Sequence, residues 1–542
     1  MNRYIKRHKG LFVAAVCINI ITGLVPVYLA YVIQVISDVA FNGHFERLAE
    51  ALILCLLFLV YSFVSTSLNS IMKAKYRRVL KADISNDLYS SLMCQSYSEF
   101  QKKSTGSKLA LFTNDIKMVD ESYFFPLLTM IGQIIVAIVI LIYVVRINIY
   151  VCLMMILIAL ITLMIPKFRA KRMSKLSNQL SSYAETYNSK LKEIFQSFDV
   201  IHDYGVLPSF LKKGRQIVST MEKRQGDVNA SISLTGNWSN SVAATGQLVY
   251  MVVIGVMILY GHIDKIYLMP VINISNDFIS AICEISSALS GFKSVEGVSQ
   301  KLLAIIDEKN EGKEIQSNCD NGIPFKNVDF GYNSELLLKD FSFHFEKGKK
   351  YVIVGDSGSG KSTLLKIILN YYPIHAGSVN LLDYHHVSVI HQESHIFNDT
   401  LRNNLSLGTE IEESQLKKCL EFVGLENFDL DQIVSEDGGN ISGGQLQRIS
   451  IARAMAHLKE VLLCDEITSS LDNTIARKIE HNILDLENET VLYVTHKLYE
   501  DTLSRFDQIL MMRNGTILEC GTFDELMDKK QSFYHLYTNR EK

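Results

Sequence analysis

The chain has 542 residues, enough for two or more domains, with 48% hydrophobic residues and a formal net charge of −3. This small net charge hides two unlike parts: residues 1–300 hold 29 Lys/Arg against 19 Asp/Glu, and residues 301–542 hold 25 against 38. The nine scattered cysteines form no CxxC pair, which argues against a disulfide framework or a cysteine-based metal site.

Six apolar runs precede residue 300, and each is near the ~20 residues that a helix needs to cross a bilayer. A core helix of a soluble protein could explain any single run. Six runs in one region instead predict an α-helical membrane domain over residues 1–300. The runs are Leu11–Ile36, Ala49–Val64, Phe125–Val145, Ile147–Ile165, Ser241–Tyr260 and Ile266–Ser287.

Lys and Arg are concentrated in alternate connections between these runs. The connections at 72–124 and 167–236 hold nine and twelve Lys/Arg, whereas the other three hold one each. This pattern places the N-terminus and both long connections in the cytosol. Both connections space their apolar residues helically, so the membrane helices are predicted to continue into the cytosol.

The sixth run carries polar residues that are not expected on a helix surrounded by lipid. Asn273, Asp277, Ser280 and Glu284 are spaced four, three and four residues apart, which places them on one face of a helix. This polar stripe predicts a polar environment beside the sixth helix. Alternatively, Glu284 faces solvent near the cytosolic end and Asp277 hydrogen-bonds to a neighbouring helix.

A linker is predicted at 301–322, followed by an α/β domain over 323–542. There, "KKYVIVGDSGSGKSTLLKIIL" reads as a strand, a Gly-rich turn and a helix, and it matches the P-loop pattern G-x-x-x-x-G-K-[ST]. Backbone N–H groups of such a turn bind phosphate, and the motif alone indicates only a nucleotide phosphate. The predicted ATP-binding residues here are Gly355, Asp356, Ser357, Gly358, Ser359, Gly360, Lys361, Ser362 and Thr363.

Further polar residues follow apolar strand patterns in this domain. "EVLLCDEITSSLD" ends a strand in Asp465, predicted with Ser362 to hold Mg²⁺, and in Glu466, predicted to activate the attacking water. His496 ends "VLYVTH" and is a candidate sensor of the γ-phosphate. Gln392 ends "VSVIHQ" and is a candidate catalytic residue and Mg²⁺ ligand. Such strand ends predict a ligand crevice at one edge of an α/β sheet.

"NISGGQLQR" at 440–448, with the motifs above, resembles the ATP-binding cassette (ABC) transporters, and specifically bacterial exporter-type half-transporters. The resemblance covers nearly the whole chain, including "EFQKKSTGSKLALFTNDIKMVD" in the first cytosolic connection. It departs at Ile441, where the family usually has Leu. It implies six membrane helices extended into the cytosol, followed by one P-loop ATPase domain.

The resemblance also implies roles for individual residues. Tyr332 would stack on adenine, and Ser469–Asp472 would cross the interface between two cassettes. The turns near Tyr97–Phe100 and Asp199–Tyr204 would be coupling helices that contact the cassettes. Four residues of the signature would contact the γ-phosphate bound to the opposite cassette: Ser442, Gly443, Gly444 and Gln445.

The expected protein is an ATP-driven exporter in the bacterial inner (plasma) membrane, using ATP and Mg²⁺ and alternating access. A homodimer is expected because Glu466, His496 and the signature are present, although a heterodimer is possible. The polar stripe would line the central pathway, where its carboxylates favour an amphiphilic or cationic cargo. A dedicated bacteriocin or pheromone peptide exporter and a siderophore-type importer are the alternatives. Membrane lipids are expected partners and nucleic acid is not.

Overall fold

The computed structural model describes residues 1–308, 322–332, 335–382, 385–435 and 441–538. The chain divides into two compact units. The first comprises Met1–Gln95 and Lys103–Asn310, and the second comprises Ser96–Lys102 and Glu311–Lys542. Most of the predicted linker at 301–322 lies outside the described residues.

The first unit is built from long helices, as the sequence predicts. α5 belongs to the second unit, and the other helices through residue 308 belong to the first. In chain order the helices are α1 (Asn2–Arg7), α2 (Lys9–Gly23), α3 (Val25–Asn42), α4 (Leu48–Met93), α5 (Tyr97–Lys102), α6 (Thr105–Ala110), α7 (Ile116–Val119), α8 (Phe125–Ile147), α9 (Ile149–Gln196), α10 (Phe198–Asp203), α11 (Leu207–Leu259) and α12 (Leu268–Asp307).

Six helical stretches in the described residues are long and apolar enough to cross a membrane, and each overlaps one of the predicted runs. Three of the helices are much longer than a bilayer requires: α4 has 46 residues, α9 has 48 and α11 has 53. At ~1.5 Å per residue they measure roughly 70–80 Å, against a hydrocarbon core of about 30 Å. The prediction that they continue beyond the membrane is therefore confirmed. The stretches are Lys9–Asn42, Phe45–Met93, Thr105–Ile147, Ile149–Met173, Leu207–Leu259 and Lys265–Leu289.

The third stretch contains two π-helical turns, Leu111–Asp115 and Asp120–Phe124. Asp120, which is only 3% exposed, accepts two hydrogen bonds from Arg77 of α4, at 2.9 and 2.8 Å. A buried carboxylate needs such a partner, and the two-pronged guanidinium supplies it with defined geometry. This pair joins α4 to the irregular part of the third stretch.

Helix α12 has an apolar side that is packed within its own unit. Ile274, Phe278 and Ala281 are at most 2% exposed and lie in the apolar cluster that α8 and α9 also line. The helix continues through residues 301–307, which the sequence places in the linker, because Leu302 and Ile305 are also buried. The polar stripe occupies the less buried side of α12.

The second unit has an α/β core. Its main sheet has the order β11-β10-β3-β9-β8-β5, with β11 antiparallel to β10 and the other five strands parallel. A smaller antiparallel sheet has the order β2-β1-β4. The strands are β1 (Ile323–Phe330), β2 (Leu338–Phe345), β3 (Lys350–Gly355), β4 (Ala376–Val379), β5 (Val387–Ile390), β6 (Asp399–Thr400), β7 (Ile433–Val434), β8 (Val461–Asp465), β9 (Thr490–Val494), β10 (Gln508–Arg513) and β11 (Thr516–Gly521).

The central strands are buried on both faces, which explains their nearly continuous apolar sequences. Val352 and Val354 of β3 belong to one apolar cluster, whereas Tyr351 and Ile353 belong to the other. Helices cover the sheet. They are α13 (Lys361–Ile368), α14 (Leu401–Ser406), α15 (Glu413–Phe422), α16 (Gly443–Ala456), α17 (Asn473–Leu484), α18 (Glu500–Leu503), α19 (Phe523–Lys529) and α20 (Ser532–Thr538).

Candidate functional site

The Gly-rich turn between β3 and α13 has a backbone that only glycine accepts at key positions. Gly355 has φ +147°, and a Cβ on it would lie 2.1 Å from the backbone oxygen of Met512. Lys361 Nζ donates to the carbonyls of Gly355 at 3.1 Å and Asp356 at 2.9 Å, so the turn wraps around the lysine. Ser359 Oγ is buried without a hydrogen-bond partner in the described chain. The loop thus holds an ammonium group and an unsatisfied hydroxyl where an anion can bind.

The sheet topology brings the predicted strand-end residues to one edge. Strands β3, β9, β8 and β5 are neighbours and parallel, so their carboxyl ends meet at the same edge. The P-loop follows β3, Asp465 ends β8 and Glu466 follows it. His496 comes just after β9, and Gln392 comes just after β5. Residues more than 100 positions apart in sequence are thereby gathered around one crevice.

Glu466 is the centre of this cluster. Gln392 Nε2 donates to its Oε2 at 3.0 Å, and His496 Nε2 lies 3.0 Å from its Oε1. Its backbone is in the left-handed region with φ +50°, and its N–H donates to the carbonyl of Val494 at 3.0 Å. Such a conformation costs a non-glycine residue roughly 1–2 kcal/mol. The turn and both partners therefore fix where this carboxylate lies.

Asp465 lies beside the P-loop and contacts it directly. Ser362 Oγ donates to Asp465 Oδ1 at 2.6 Å. Burial raises the pKa of the Asp465 carboxyl above its ordinary value. A hydroxyl and a carboxylate are the oxygen ligands that Mg²⁺ prefers, so these two residues fit that ion. Gln392, the third predicted ligand, directs its amide N–H to Glu466 instead.

Tyr332 provides an exposed aromatic ring near the P-loop. Its hydroxyl lies 3.2 Å from Thr363 Oγ1, and its ring meets Tyr372 edge-on with centroids 5.1 Å apart. The side chain remains 51% exposed. A ring supported on its edge and open to solvent suits stacking against a flat base.

The signature opens helix α16 through a capping box. Ser442 Oγ accepts from the Gln445 N–H at 3.3 Å, and Gln445 Oε1 accepts from the Ser442 N–H at 2.8 Å. Gly444 lies close to Leu471, in the predicted cassette-crossing segment Ser469–Asp472. Among the described residues, no hydrogen bond joins the N-terminus of α16 to the P-loop residues 355–363. Asn440, the first residue of the quoted motif, is outside the described residues.

Two sets of contacts in the second unit were not predicted residue by residue, although the turn near Tyr97–Phe100 was expected to contact a cassette. Tyr97 stacks on Tyr371 with centroids 3.8 Å apart, so the predicted coupling turn contacts the ATPase residues of its own unit. Linear spacing gives no signal for a pair separated by more than 270 residues. The role of this turn in coupling stays a prediction.

The second network surrounds a buried carboxyl group. Glu480, which is 5% exposed, accepts from Thr468 Oγ1 at 2.9 Å and from the Tyr493 hydroxyl at 3.0 Å. Burial raises the pKa of Glu480. The burial of Glu480 could have been predicted from the sequence, because Glu480 lies on the apolar face of α17 with Ala476 and Ile483.

The polar stripe of α12 is less tightly held. Asn273 and Asp277 are half-buried, and Ser280 and Glu284 are exposed. Glu284 accepts a hydrogen bond from Gln133 of α8 at 2.7 Å, and Lys73 of α4 is within electrostatic reach. Asp277 has no hydrogen-bond or ion-pair partner in the described residues, so the alternative in which it hydrogen-bonds to a neighbouring helix gains no support.

Comparisons with known families match both units. The ABC transporter transmembrane region model matches residues 11–268, and the ABC transporter model matches residues 338–469. The second match includes the P-loop, Gln392, the signature and Glu466, and it ends before His496.

Two curated relatives align along almost the whole chain. The ATP-dependent lipid A-core flippase of Vibrio vulnificus strain YJ016 is 26% identical over 573 residues, covering 98% of this chain and 96% of the relative. The protein of the same name from Haemophilus ducreyi is 26% identical over 574 residues, with the same two coverages. The chain is thus similar to both proteins along nearly its whole length and theirs.

A solved structure supports the same fold. The structure of a bacterial Atm1-family ABC exporter with ATP bound superimposes with a TM-score of 0.85 at 17% sequence identity. The match covers 100% of this chain and 99% of that chain. The predicted fold, six membrane helices followed by a P-loop sheet domain, therefore matches that of a known structure.

Proposed function

Because this chain belongs to the ABC transporter family, as a bacterial exporter-type half-transporter, we propose that two copies pair to export a lipid-like, positively charged amphiphile. The chain is a multi-pass membrane protein whose ATPase domain hydrolyses ATP to drive transport. One observation carries the ATP-hydrolysis part of the proposal: Glu466 is held between Gln392 and His496 at the sheet edge beside the P-loop.

The geometry supports a division of roles among the residues of the site. Lys361 and the backbone of the Gly-rich turn bind the phosphates, and Tyr332 stacks on the base. Glu466 accepts a proton from the attacking water or orients it, because its carboxylate is the one positioned by two side-chain partners. His496 and Gln392 hold that carboxylate, and each can also contact the γ-phosphate side of the nucleotide.

Mg²⁺ is the metal that the oxygen donors of this site fit. Ser362 and Asp465 would hold it, with Gln392 as a further candidate after its amide rotates. When bound, Mg²⁺ neutralises charge on the nucleotide phosphates. Without the ion, the Ser362 hydroxyl donates a hydrogen bond to the Asp465 carboxylate, and this bond keeps the two ligands together.

The proposed homodimer follows from what one chain supplies. It carries one P-loop and one signature, and the described signature residues bond to each other rather than to their own P-loop. The exposed N-terminus of α16 is therefore available to bind the phosphate on a second copy. Each ATP would lie between Lys361 of one chain and Ser442 of the other.

Exposed aromatic residues at the end of the α9–α11 pair support a second contact between copies. Phe195, Phe198 and Tyr204 are 60–78% exposed around α10, the second predicted coupling turn. Several large aromatic side chains exposed together at the cytosolic end of a helix pair are typical of a protein–protein contact surface. We assign that surface to the ATPase domain of the other copy.

ATP then changes the relative populations of two conformations. It binds between two cassettes only when they are closed, so ATP favours the closed state by its additional contacts. Closure moves the coupling turns and switches the membrane helices from inward-open to outward-open. Hydrolysis at Glu466 removes those contacts and resets the dimer.

The cargo class rests on the α12 stripe and on the relatives. Asp277 carries a carboxylate that lacks a partner among the described residues of its unit, and an intramembrane charge is tolerable where it faces a polar pathway. Glu284 already accepts a hydrogen bond from Gln133 and interacts electrostatically with Lys73. We therefore assign cation recognition to Asp277. The relatives named lipid A-core flippases support a lipid-like amphiphile, and their names support neither a peptide cargo nor import.

Purified protein in liposomes tests this function. A fluorescent cationic lipid analogue is added to both leaflets, and ATP with Mg²⁺ is added outside to energise outward-facing cassettes. The proposal predicts ATP-dependent movement of the analogue into the inner leaflet, where it is protected from a membrane-impermeant quencher. Movement toward the outer leaflet would contradict export, and unchanged distribution would contradict this cargo. The Glu466→Gln variant is the control without hydrolysis.

A further inference from the structure

A basic stretch follows the apolar run of the fourth membrane-crossing stretch, within and just beyond the end of that stretch at Met173, and plays no part in the proposed transport cycle. Residues 166–175, "PKFRAKRMSK", begin directly after the apolar run that ends at Ile165, and α9 continues through them. Four of its cationic side chains are exposed, and we call these the α9 basic patch: Lys167, Lys171, Arg172 and Lys175.

The patch lies in a part of α9 and α11 that is poor in acidic residues, with Glu185 of α9 and Asp227 of α11 beyond its far end. No Asp or Glu occurs between residues 122 and 184, or between residues 228 and 259 of the paired helix α11. The structure gives the four side chains no hydrogen bond or ion pair with any described residue. Lys167, Lys171 and Lys175 are spaced four residues apart and share a helix face. Their charges are therefore concentrated and form no ion pair with any residue that the structure describes.

Two aromatic rings border the patch. Phe168 is 76% exposed, and Trp238 of α11 is 53% exposed. Arg169 fixes Trp238: its guanidinium lies 4.7 Å from the ring centroid, and its Nε donates to Thr235 Oγ1 at 2.9 Å. Exposed aromatic rings at the end of an apolar span are typical of the membrane–water interface. By this pattern the patch is expected at the depth of the lipid headgroups, on the side that the distribution of Lys and Arg predicts to be cytosolic.

From this combination we propose that the α9 basic patch binds the phosphate headgroups of anionic phospholipids in the cytosolic leaflet. Unpaired cations at that depth match a negatively charged surface, and each Lys or Arg near such a surface raises the affinity by roughly fivefold. Phe168 and Trp238 would contact the acyl chains beneath the headgroups. This inference depends on the membrane orientation and not on the cargo or the roles assigned at the ATP site.

Trp238 is the only tryptophan of the chain, so its fluorescence reports on this surface alone. The full-length protein is reconstituted in mixtures of brominated phosphatidylglycerol with phosphatidylcholine, and in the reverse mixtures with brominated phosphatidylcholine. Bromine on the acyl chains quenches a tryptophan that it touches, and free phosphate does not. We expect brominated phosphatidylglycerol to quench Trp238 with an apparent preference of at least about fivefold.

A variant pair separates the patch from general charge effects. Lys167, Lys171, Arg172 and Lys175 are changed together to Gln, which should reduce the preference to about one. In the matched control, four exposed cations farther along the same two helices are changed to Gln: Lys190, Lys192, Lys212 and Arg215. The control should retain the preference. Basal ATP hydrolysis in detergent verifies that both variants are folded.

Two results would overturn the proposal. Equal quenching of the unmodified protein by both brominated lipids would show that the patch does not select anionic headgroups. The same conclusion follows if the patch variant keeps its preference, and in that case another charged surface, such as one on a second copy, would be responsible.

Discussion

Two carboxylates show how differently the two units use similar groups. Glu466 in the second unit is fixed by a left-handed backbone and by two side chains from neighbouring strands. Asp277 in the first unit lies on a regular helix and has no partner in the described residues. The chemical step uses one geometry for every turnover, so its carboxylate is held in place. Cargo recognition needs an acceptor that the cargo itself can satisfy.

The same contrast holds for the surrounding residues. The ATP site gathers side chains from four strand ends, whereas the stripe spreads Asn273 to Glu284 over about 17 Å of one helix, at 1.5 Å per residue. A substitution at the sheet edge should therefore abolish one defined step. A substitution in the stripe should change a preference among cargoes and leave hydrolysis in place.

The largest effect is expected at the fixed carboxylate. Glu466→Gln removes the proton acceptor and preserves the shape of the side chain, so the rate of ATP hydrolysis should fall by roughly 10²–10⁴-fold. Phosphate release measured at saturating ATP checks the rate, and a fluorescent nucleotide checks that binding is retained. A rate within threefold of the unmodified protein would remove Glu466 from the catalytic role.

The second effect concerns nucleotide binding rather than chemistry. Tyr332→Ala removes the exposed ring and should weaken ATP binding by roughly 5- to 150-fold, since stacking of a base on an aromatic ring contributes about 1–3 kcal/mol. Tyr332→Phe keeps the ring and loses only the hydroxyl contact with Thr363. Titration of both variants with a fluorescent ATP analogue compares them. Equal losses in both variants would contradict stacking.

A smaller and selective effect is expected in the stripe. Asp277→Asn should abolish the stimulation of ATP hydrolysis by cationic amphiphiles and leave the basal rate within about twofold, because the residue is outside the ATP site. Hydrolysis is titrated in lipid with cationic and neutral amphiphiles of equal chain length. Ser280→Ala, on the same face of α12, is the matched control. Stimulation that persists in Asp277→Asn would reduce the stripe to helix packing.

The smallest effect is a pH dependence of stability at Glu480. Its pKa is raised by burial, so the folded protein holds this proton at pH values where the unfolded chain has lost it. The free energy of unfolding therefore falls as the pH rises from the ordinary carboxyl pKa through the raised one. Glu480→Gln lacks this titration and should gain in Tm relative to the unmodified protein as the pH increases.

Thermal unfolding of both proteins at pH 5, 6.5 and 8 measures this difference. Gln can still accept hydrogen bonds from Thr468 and Tyr493, so the packing of the network is kept. A constant difference in Tm across the three pH values would show that Glu480 does not titrate differently in the folded state.

The sequence predicted much of the ATP site because its chemistry requires fixed local patterns. The P-loop, the Asp465–Glu466 pair and the signature are each contiguous, and the order of the strands brings them together by the ordinary rules of parallel sheets. The six spans were equally visible, since the bilayer sets both their length and their composition. Helix ends were harder to predict, as α12 continues into the predicted linker where Leu302 and Ile305 remain buried.

Contacts between distant residues could not be predicted in this way. Neither the stacking of Tyr97 on Tyr371 nor the hydrogen bonds of Glu480 follow from a local pattern, because each depends on tertiary packing. In the sequence, the cations of the α9 basic patch served only as evidence for which side of the membrane this connection faces. The structure adds that the four cations have no partner among the residues it describes and that Trp238 lies beside Arg169.

The most direct test of the account is whether two copies build each ATP site together. Two differently tagged chains are co-expressed, one with Lys361→Ala and the other with Ser442→Arg, and the mixed dimer is purified through both tags. Its ATP hydrolysis is compared with that of a dimer carrying both substitutions on one chain and none on the other. The account predicts that the first dimer keeps one intact composite site and hydrolyses ATP, whereas the second has none and is inactive. Activity in the second dimer alone would place each complete site within a single chain and contradict the account.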